Sequence, residues 1–132
     1  MARWPRALPL LALLLAPAAW AEWTRVGEGN AIFQAYADRD TIQPLGANVR
    51  MNGLYDIRMN DFTPDGRTYR STVSAREYDC RGRQVRILSF ADYSGPMASG
   101  EVVSLRERTG RWEPVLGGGI DEKFLEVACA AR

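Results

Sequence analysis

Histidine is absent from the 132 residues, and lysine occurs once, at Lys123. The missing imidazole removes the usual neutral-pH base of nucleophilic triads and the commonest transition-metal ligand. Cysteine occurs twice, too few for a structural zinc site, which normally takes four thiolate or imidazole ligands. Most hydrolase schemes therefore fail, and we expect no enzyme: no catalytic residue, no metal and no cofactor.

The chain also lacks the excess of positive charge that is typical of nucleic-acid-binding proteins. It carries 17 basic and 16 acidic residues. Residues 1–21 are expected to be cleaved off as a signal peptide. Their removal takes away Arg3 and Arg6 and leaves 15 basic and 16 acidic residues, a net charge of about minus one. We therefore expect no nucleic-acid partner.

The N-terminal residues 1–21 are typical of a secretory signal peptide. A basic start precedes an apolar run over residues 7–20, and Ala19 and Ala21 supply the small side chains that signal peptidase needs. Cleavage after Ala21 would make Glu22 the first residue of the mature protein. One small domain, residues 22–132, would remain.

The signal peptide predicts a location as well. Its apolar run is about 14 residues long and contains Pro9 and Pro17, whereas a membrane-spanning helix needs roughly 20 residues. No cysteine lies near the cleavage point to carry a lipid. We expect a bacterial protein that is periplasmic, secreted or at the cell surface, with no stable membrane anchor after cleavage.

Both cysteines, Cys80 and Cys129, lie in the mature part. An even count in an exported chain predicts a disulfide. The chain-entropy estimate for so long a loop is about 4 kcal/mol of stabilisation. A redox-active pair is the alternative, although neither cysteine belongs to a Cys-x-x-Cys motif.

Alternation of apolar and polar residues dominates the mature chain. Residues 49–59 predict a half-buried strand, residues 60–66 a turn, and residues 69–80 a second strand with a bulge near Arg76 and Glu77. Further strands are predicted over residues 31–37, with a turn at 38–41, over 84–94, where alternation needs either two covered faces or a local bulge, and over 101–109.

The period changes near the C-terminus. Ile120, Phe124, Val127 and Ala128 recur at helical spacing, with acidic and basic residues outside the stripe. The sequence thus predicts an α+β fold: a small antiparallel meander of about five to six strands, packed by a C-terminal helix and tied to it by one disulfide.

Arginines are concentrated around one predicted turn. They are Arg76, Arg81, Arg83 and Arg86, and such a cluster can bind phosphates, an acidic glycan or a carboxylate-rich partner through forked hydrogen bonds. The alternative is a solvated turn whose arginines pair with Glu77 and Asp79.

Two pairs of carboxylates also draw attention. Asp38 with Asp40 and Glu77 with Asp79 could hold calcium or act as an acid and a base. The simpler interpretation makes them acceptors for turn amides and for arginines.

The spacing of several residues resembles the bacterial surface-adhesin protein E family. The matching positions are Trp23, Val26, Tyr36, Asp38, Ile42, Ser71, the run Glu77-Tyr78-Asp79-Cys80, Tyr93, Ser94, Gly100, Trp112, Val115 and Cys129. The resemblance implies a small exported antiparallel sheet with a helix, some members of the family binding host extracellular-matrix proteins. We therefore expect a non-enzymatic domain that binds a protein or surface glycan through an exposed edge strand or the arginine turn. A periplasmic accessory subunit of an envelope or secretion complex is the alternative.

Overall fold

The computed structural model describes Arg3 and residues 21–130. The predicted signal peptide lies outside the described residues apart from Arg3 and Ala21, and it stays a prediction. In the described part, no helix has both the length and the apolar character needed to cross a membrane.

One antiparallel sheet contains all the strands of the described residues, and each of the first five pairs with the next along the chain. A two-residue seventh strand pairs with the fifth. The strands are β1 (Trp23–Val26), β2 (Phe33–Leu45), β3 (Asn48–Phe62), β4 (Thr68–Asp79), β5 (Gln84–Tyr93), β6 (Val102–Arg106) and β7 (Glu113–Pro114). The predicted α+β meander is confirmed.

Besides a short 3₁₀ turn at Pro96–Ala98, the described residues contain one α-helix, α1 (Ile120–Ala130), which closes the core over one face of this sheet. Its buried stripe consists of Phe124, Leu125 and Ala128. Because side chains alternate along a strand, β3 sends Val49 and Met51 toward the helix, and both are buried. The apolar residues identified by strand alternation and by helical spacing in the sequence therefore pack together in one core.

Gly53 in β3 lets the helix approach the sheet closely. A Cβ built on Gly53 would lie 3.0 Å from Cε1 of Phe124, a distance that real Cβ atoms rarely show. The aromatic ring of Phe124 therefore rests on bare backbone. A side chain at this position would require the Phe124 ring to shift by a few tenths of an ångström.

The bulge expected in β4 lies instead in β5. β4 pairs with β3 without interruption from Ser71 to Tyr78, whereas its register with β5 skips one residue, Leu88. Tyr78 therefore faces the helix, and Ser71 lies on the opposite face. The extra residue in β5 is the local bulge that was one of the two alternatives for residues 84–94.

The turn expected at residues 38–41 is an irregularity within β2. Pairing with β3 jumps from Asp38 opposite Asn52 to Gln43 opposite Arg50. The Asp38 carboxylate accepts the amide of Asp40 at 3.1 Å, and the hydroxyl of Thr41 accepts the amide of Asn52 at 2.8 Å. These side chains replace the missing backbone bonds, so the strand continues in the same direction.

Cys80 and Cys129 form the predicted disulfide, with Cα atoms 5.9 Å apart. The bond joins the residue after β4 to the last turn of α1. It therefore holds the helix against the strand on which it packs.

We predict that Cys80→Ser lowers the free energy of unfolding by roughly 2 to 5 kcal/mol, because the unfolded chain gains the freedom of an open loop. Denaturant unfolding of the oxidised protein and of the variant measures this difference. In the wild type, alkylation without reductant should label neither cysteine. Two reactive thiols in the native protein, or an unchanged unfolding midpoint in the variant, would contradict a structural role.

Candidate functional site

The four arginines singled out in the sequence do not form one cluster. Arg76 lies between the sheet and α1, where it donates to the Asp121 carboxylate at 2.9 Å. Its guanidinium carbon lies 5.3 Å from the ring centroid of Tyr55 and 5.5 Å from that of Phe124, so the cation stacks among aromatic rings. Arg76 therefore joins α1 to the sheet.

Arg86 lies on the opposite face of the sheet from Arg76, because it pairs with Glu77 across strands β4 and β5. It donates to the buried Glu77 carboxylate at 2.7 Å, and its guanidinium carbon lies 4.5 Å from the ring centroid of Trp112. Asn48 also donates to Glu77, at 2.9 Å. Glu77 thus has its hydrogen bonds satisfied inside the domain.

Arg81 and Arg83 occupy the exposed turn between β4 and β5. Arg83 donates to Glu122 of α1 at 2.7 Å. The turn itself is held by Asp79, whose carboxylate accepts the amide of Gly82 at 2.9 Å. Arg81 and Arg83 are therefore the two of the four arginines that the fold leaves at a solvent-exposed turn.

The carboxylate pairs have structural partners. Asp38 accepts the amide of Asp40, and Glu77 and Asp79 bind Arg86 and the turn as described. Among residues 21–130, no group of three or more carboxylate or cysteine side chains has the arrangement to hold a metal ion.

Two arginines absent from the sequence prediction complete a different cluster. A cavity of about 290 Å³ lies between β5, the segment after β6 and the start of α1. Four arginines and two carboxylates line it: Arg76, Arg86, Arg106, Arg111, Glu113 and Asp121. We call this space the arginine cavity. This cavity could not be predicted from the sequence, because its residues lie up to 45 positions apart. They come together only when the 107–112 segment folds onto β5.

The arginine cavity keeps unpaired positive charge. Arg76 and Arg86 are neutralised by Asp121 and Glu77. Within the described part of the chain, neither Arg106 nor Arg111 makes an ion pair, and both are exposed. Of the six charged residues that line the cavity, four are arginines and two are carboxylates, so the cavity attracts anions.

A groove of about 340 Å³ adjoins the arginine cavity on the helix-bearing face, and Arg76 and Ile87 line both. We call it the aromatic groove. Its lining includes four aromatic rings together with a hydroxyl and a carboxylate: Tyr55, Phe62, Tyr69, Phe90, Thr72 and Asp92. The groove exists because α1 covers only part of this face.

Polar groups in the aromatic groove are fixed by hydrogen bonds to one another. Thr72 donates to Asp92 at 2.6 Å, and Tyr69 donates to Asp61 at 3.1 Å. Burial, followed by the hydrogen bond to Asp61, raises the pKa of Tyr69 to about 12. Burial also raises the pKa of Tyr55. Both phenols therefore stay neutral at physiological pH.

A larger cavity, about 630 Å³, lies elsewhere, between the β2–β3 end of the sheet and the end of α1. Arg39 is its one charged lining residue, and Ile42, Val49 and Val127 supply apolar surface. It gathers no set of polar groups that points to a ligand.

One sheet edge is exposed as well. β6 pairs with β5 and has no partner on its other side in the structure of residues 21–130. Its apolar residues Val102 and Leu105 are 49% and 61% exposed. An unpaired strand with exposed apolar side chains is a template for pairing with another extended chain.

Taken together, these features define a small disulfide-bonded α+β binding domain, with an antiparallel meander, one tethered helix and surfaces suited to macromolecules. The profile of the surface-adhesin protein E family matches residues 23–130. The chain belongs to that family, and it is an adhesin-like binding domain whose place is exported or at the cell surface.

Solved structures of protein E from Haemophilus influenzae share this fold. One aligns with a TM-score of 0.63 at 12% identity, covering 83% of this chain and 84% of that one. A second crystal form gives 0.65 at 12% identity, covering 83% and 87%. Protein E from non-typeable Haemophilus influenzae gives 0.61 at 14% identity, covering 88% and 82%. No curated protein sequence matches the chain.

We predict that Arg76→Ala lowers the free energy of unfolding by about 2 kcal/mol, because it removes the packed stem and the contact to Asp121. The matched control is Arg67→Ala, which breaks an ion pair to Asp65 that is exposed on both sides and should change stability by less than about 0.5 kcal/mol. Thermal and urea unfolding of both variants measure the difference. Equal effects would contradict the structural role of Arg76.

Proposed function

We propose that this domain is exported, is cleaved after Ala21, and acts without catalysis by binding a protein partner through the outer edge of β6. The single observation that carries this proposal is the unpaired edge with two exposed apolar side chains. A partner strand placed there gains main-chain hydrogen bonds for affinity and apolar contacts for specificity.

The geometry of β6 supports strand addition. Leu105 pairs with Ala91 and Val102 with Tyr93 across the β5–β6 ladder, so the strand is held in an extended conformation before a partner arrives. Preorganisation lowers the entropic cost of binding. Soluble proteins usually protect such an edge with charge or a cover, whereas Val102 and Leu105 stay exposed.

Arg81 and Arg83 form a second proposed contact, for an acidic partner. They belong to the turn named in the sequence prediction, and they are exposed. Arg76 and Arg86 are committed to Asp121 and Glu77, so replacing those two would test stability as well as binding.

The processing site generates the first test of this proposal. We expect mass spectrometry of the exported protein to find Glu22 as its N-terminus, because Ala19 and Ala21 are the small residues that signal peptidase requires. Fractionation into periplasm, outer membrane and medium then shows which compartment holds it. An intact Met1 on protein purified from the periplasm would refute cleavage.

Lysine substitutions at the edge of β6 test whether the partner binds there. Val102→Lys with Leu105→Lys should reduce binding to immobilised extracellular-matrix proteins by about tenfold or more, because lysines on an edge oppose strand pairing. Leu116→Lys is the control, since Leu116 is 72% exposed and lies outside the strands.

The salt dependence of binding distinguishes strand pairing at the β6 edge from binding at the arginine turn. Binding through main-chain pairing should persist between about 0.1 M and about 1 M salt, where the screening length falls from about 10 Å to about 3 Å. Contacts of Arg81 and Arg83 should weaken over that range and in the Arg81→Gln, Arg83→Gln variant. Wild-type binding by the double lysine variant would rule out the β6 edge.

A further inference from the structure

We propose that the arginine cavity and the aromatic groove together form a binding site for an acidic polysaccharide that alternates a carboxylate-bearing sugar with an uncharged one. This inference deepens the proposed binding role and rests on its export; it uses Arg106 at the end of β6 but neither of the exposed edge residues Val102 and Leu105. The two sites can therefore fail independently.

The first argument is charge. Arg106 and Arg111 are exposed and make no ion pair among residues 21–130, and they line a cavity of about 290 Å³ beside the two neutralised arginines. A guanidinium presents parallel N–H donors that match a carboxylate. The cavity is just below the usual size of small-molecule sites, so it can take one charged sugar ring.

The second argument is the chemistry next to that charge. The aromatic groove continues from the arginine cavity past Arg76 and Ile87. Its rings offer electron-rich faces, to which the C–H groups of a sugar ring are attracted. The hydroxyl protons of Thr72 and Tyr69 are donated to Asp92 and Asp61, which leaves the oxygens of Thr72, Tyr69 and Asp92 as acceptors for sugar hydroxyls.

The third argument is the difference in sign between the two compartments. The arginine cavity is positive, whereas Asp92 and Asp61 place carboxylates at or beside the aromatic groove. A second anionic group in that groove would be repelled. The pair of compartments thus favours a polymer with one charge on alternate sugars over a uniformly sulfated chain or an acidic peptide.

The test titrates the exported protein with three oligosaccharides by calorimetry. A hyaluronan hexasaccharide carries a carboxylate on every second sugar, an N-acetylchitohexaose is neutral, and a heparin hexasaccharide is densely anionic. We expect hyaluronan to bind about tenfold more tightly than either of the others, because it alone satisfies both compartments.

Variants locate the site. Arg106→Gln with Arg111→Gln should weaken hyaluronan binding by about tenfold or more, while Arg108→Gln, an exposed arginine of the same segment that does not line the cavity, should leave it unchanged. Phe62→Ser should weaken it by about threefold to tenfold, and Leu116→Ser should not. All five side chains concerned are exposed, so folding should be retained.

Several outcomes would overturn the inference. They are no binding of any oligosaccharide, equal binding of the neutral chain, or heparin binding that equals hyaluronan binding and ignores Phe62→Ser. The last result would reduce the site to a general anion patch. Loss of matrix-protein binding in the β6 lysine variant with hyaluronan binding intact would show that the two proposals stand separately.

Discussion

The attachment of α1 to the sheet is the constraint on which the rest of the structure depends. One face of the meander carries Ala35, Ala37, Val49, Met51 and Tyr78, all buried, and the helix packs on them. A single sheet with one apolar face is not stable in water without such a cover. Three devices fix the helix in place: the Phe124 ring on Gly53, the Arg76 contact to Asp121, and the Cys80–Cys129 disulfide.

These three contacts stabilise the fold through different contributions to the free energy of folding. The Phe124 contact buries apolar surface, and the disulfide restricts the unfolded chain. Arg76 contributes by packing between Tyr55 and Phe124 as well as by charge. Its chemistry explains why an arginine is found so close to a core: the stem is apolar, and the guanidinium finds Asp121 and the ring faces.

Much of the fold could be predicted from the sequence because its signals are local. Alternation in residues 49–59 and helical spacing from Ile120 to Ala128 identify elements whose faces must meet. The alternation pattern gave the wrong position for the bulge, because that position depends on how a strand pairs with its neighbour. Alternation alone predicted a bulge near Arg76 and Glu77 of β4, but strand pairing keeps β4 regular and places the extra residue at Leu88 of β5, so Val73 and Tyr78 lie on opposite faces of the sheet.

The candidate site was harder to predict from the sequence for the same reason. Arg76, Arg81, Arg83 and Arg86 are close in sequence, but alternation sends Arg76 and Arg86 to opposite faces and a tight turn carries the other two. Arg106 ends a different strand, β6, and Arg111 follows it, and nothing in their immediate sequence relates them to Arg76. Their meeting depends on the hydrogen bond from the Gly110 amide to the Ile87 carbonyl, 2.7 Å, which lays the 107–112 segment along β5.

Dimensions explain why a groove remains beside the core. An 11-residue helix is about 16 Å long, whereas the 15 residues of β3 extend over about 50 Å of strand. A helix of this length, anchored by Cys129 near one end of β4, cannot reach the β3–β4 turn. The uncovered part of the face therefore has to be compatible with water, and it carries Thr72, Ser74 and Asp92 among its aromatic residues. The short helix that completes the core thus also leaves the aromatic groove open to a ligand.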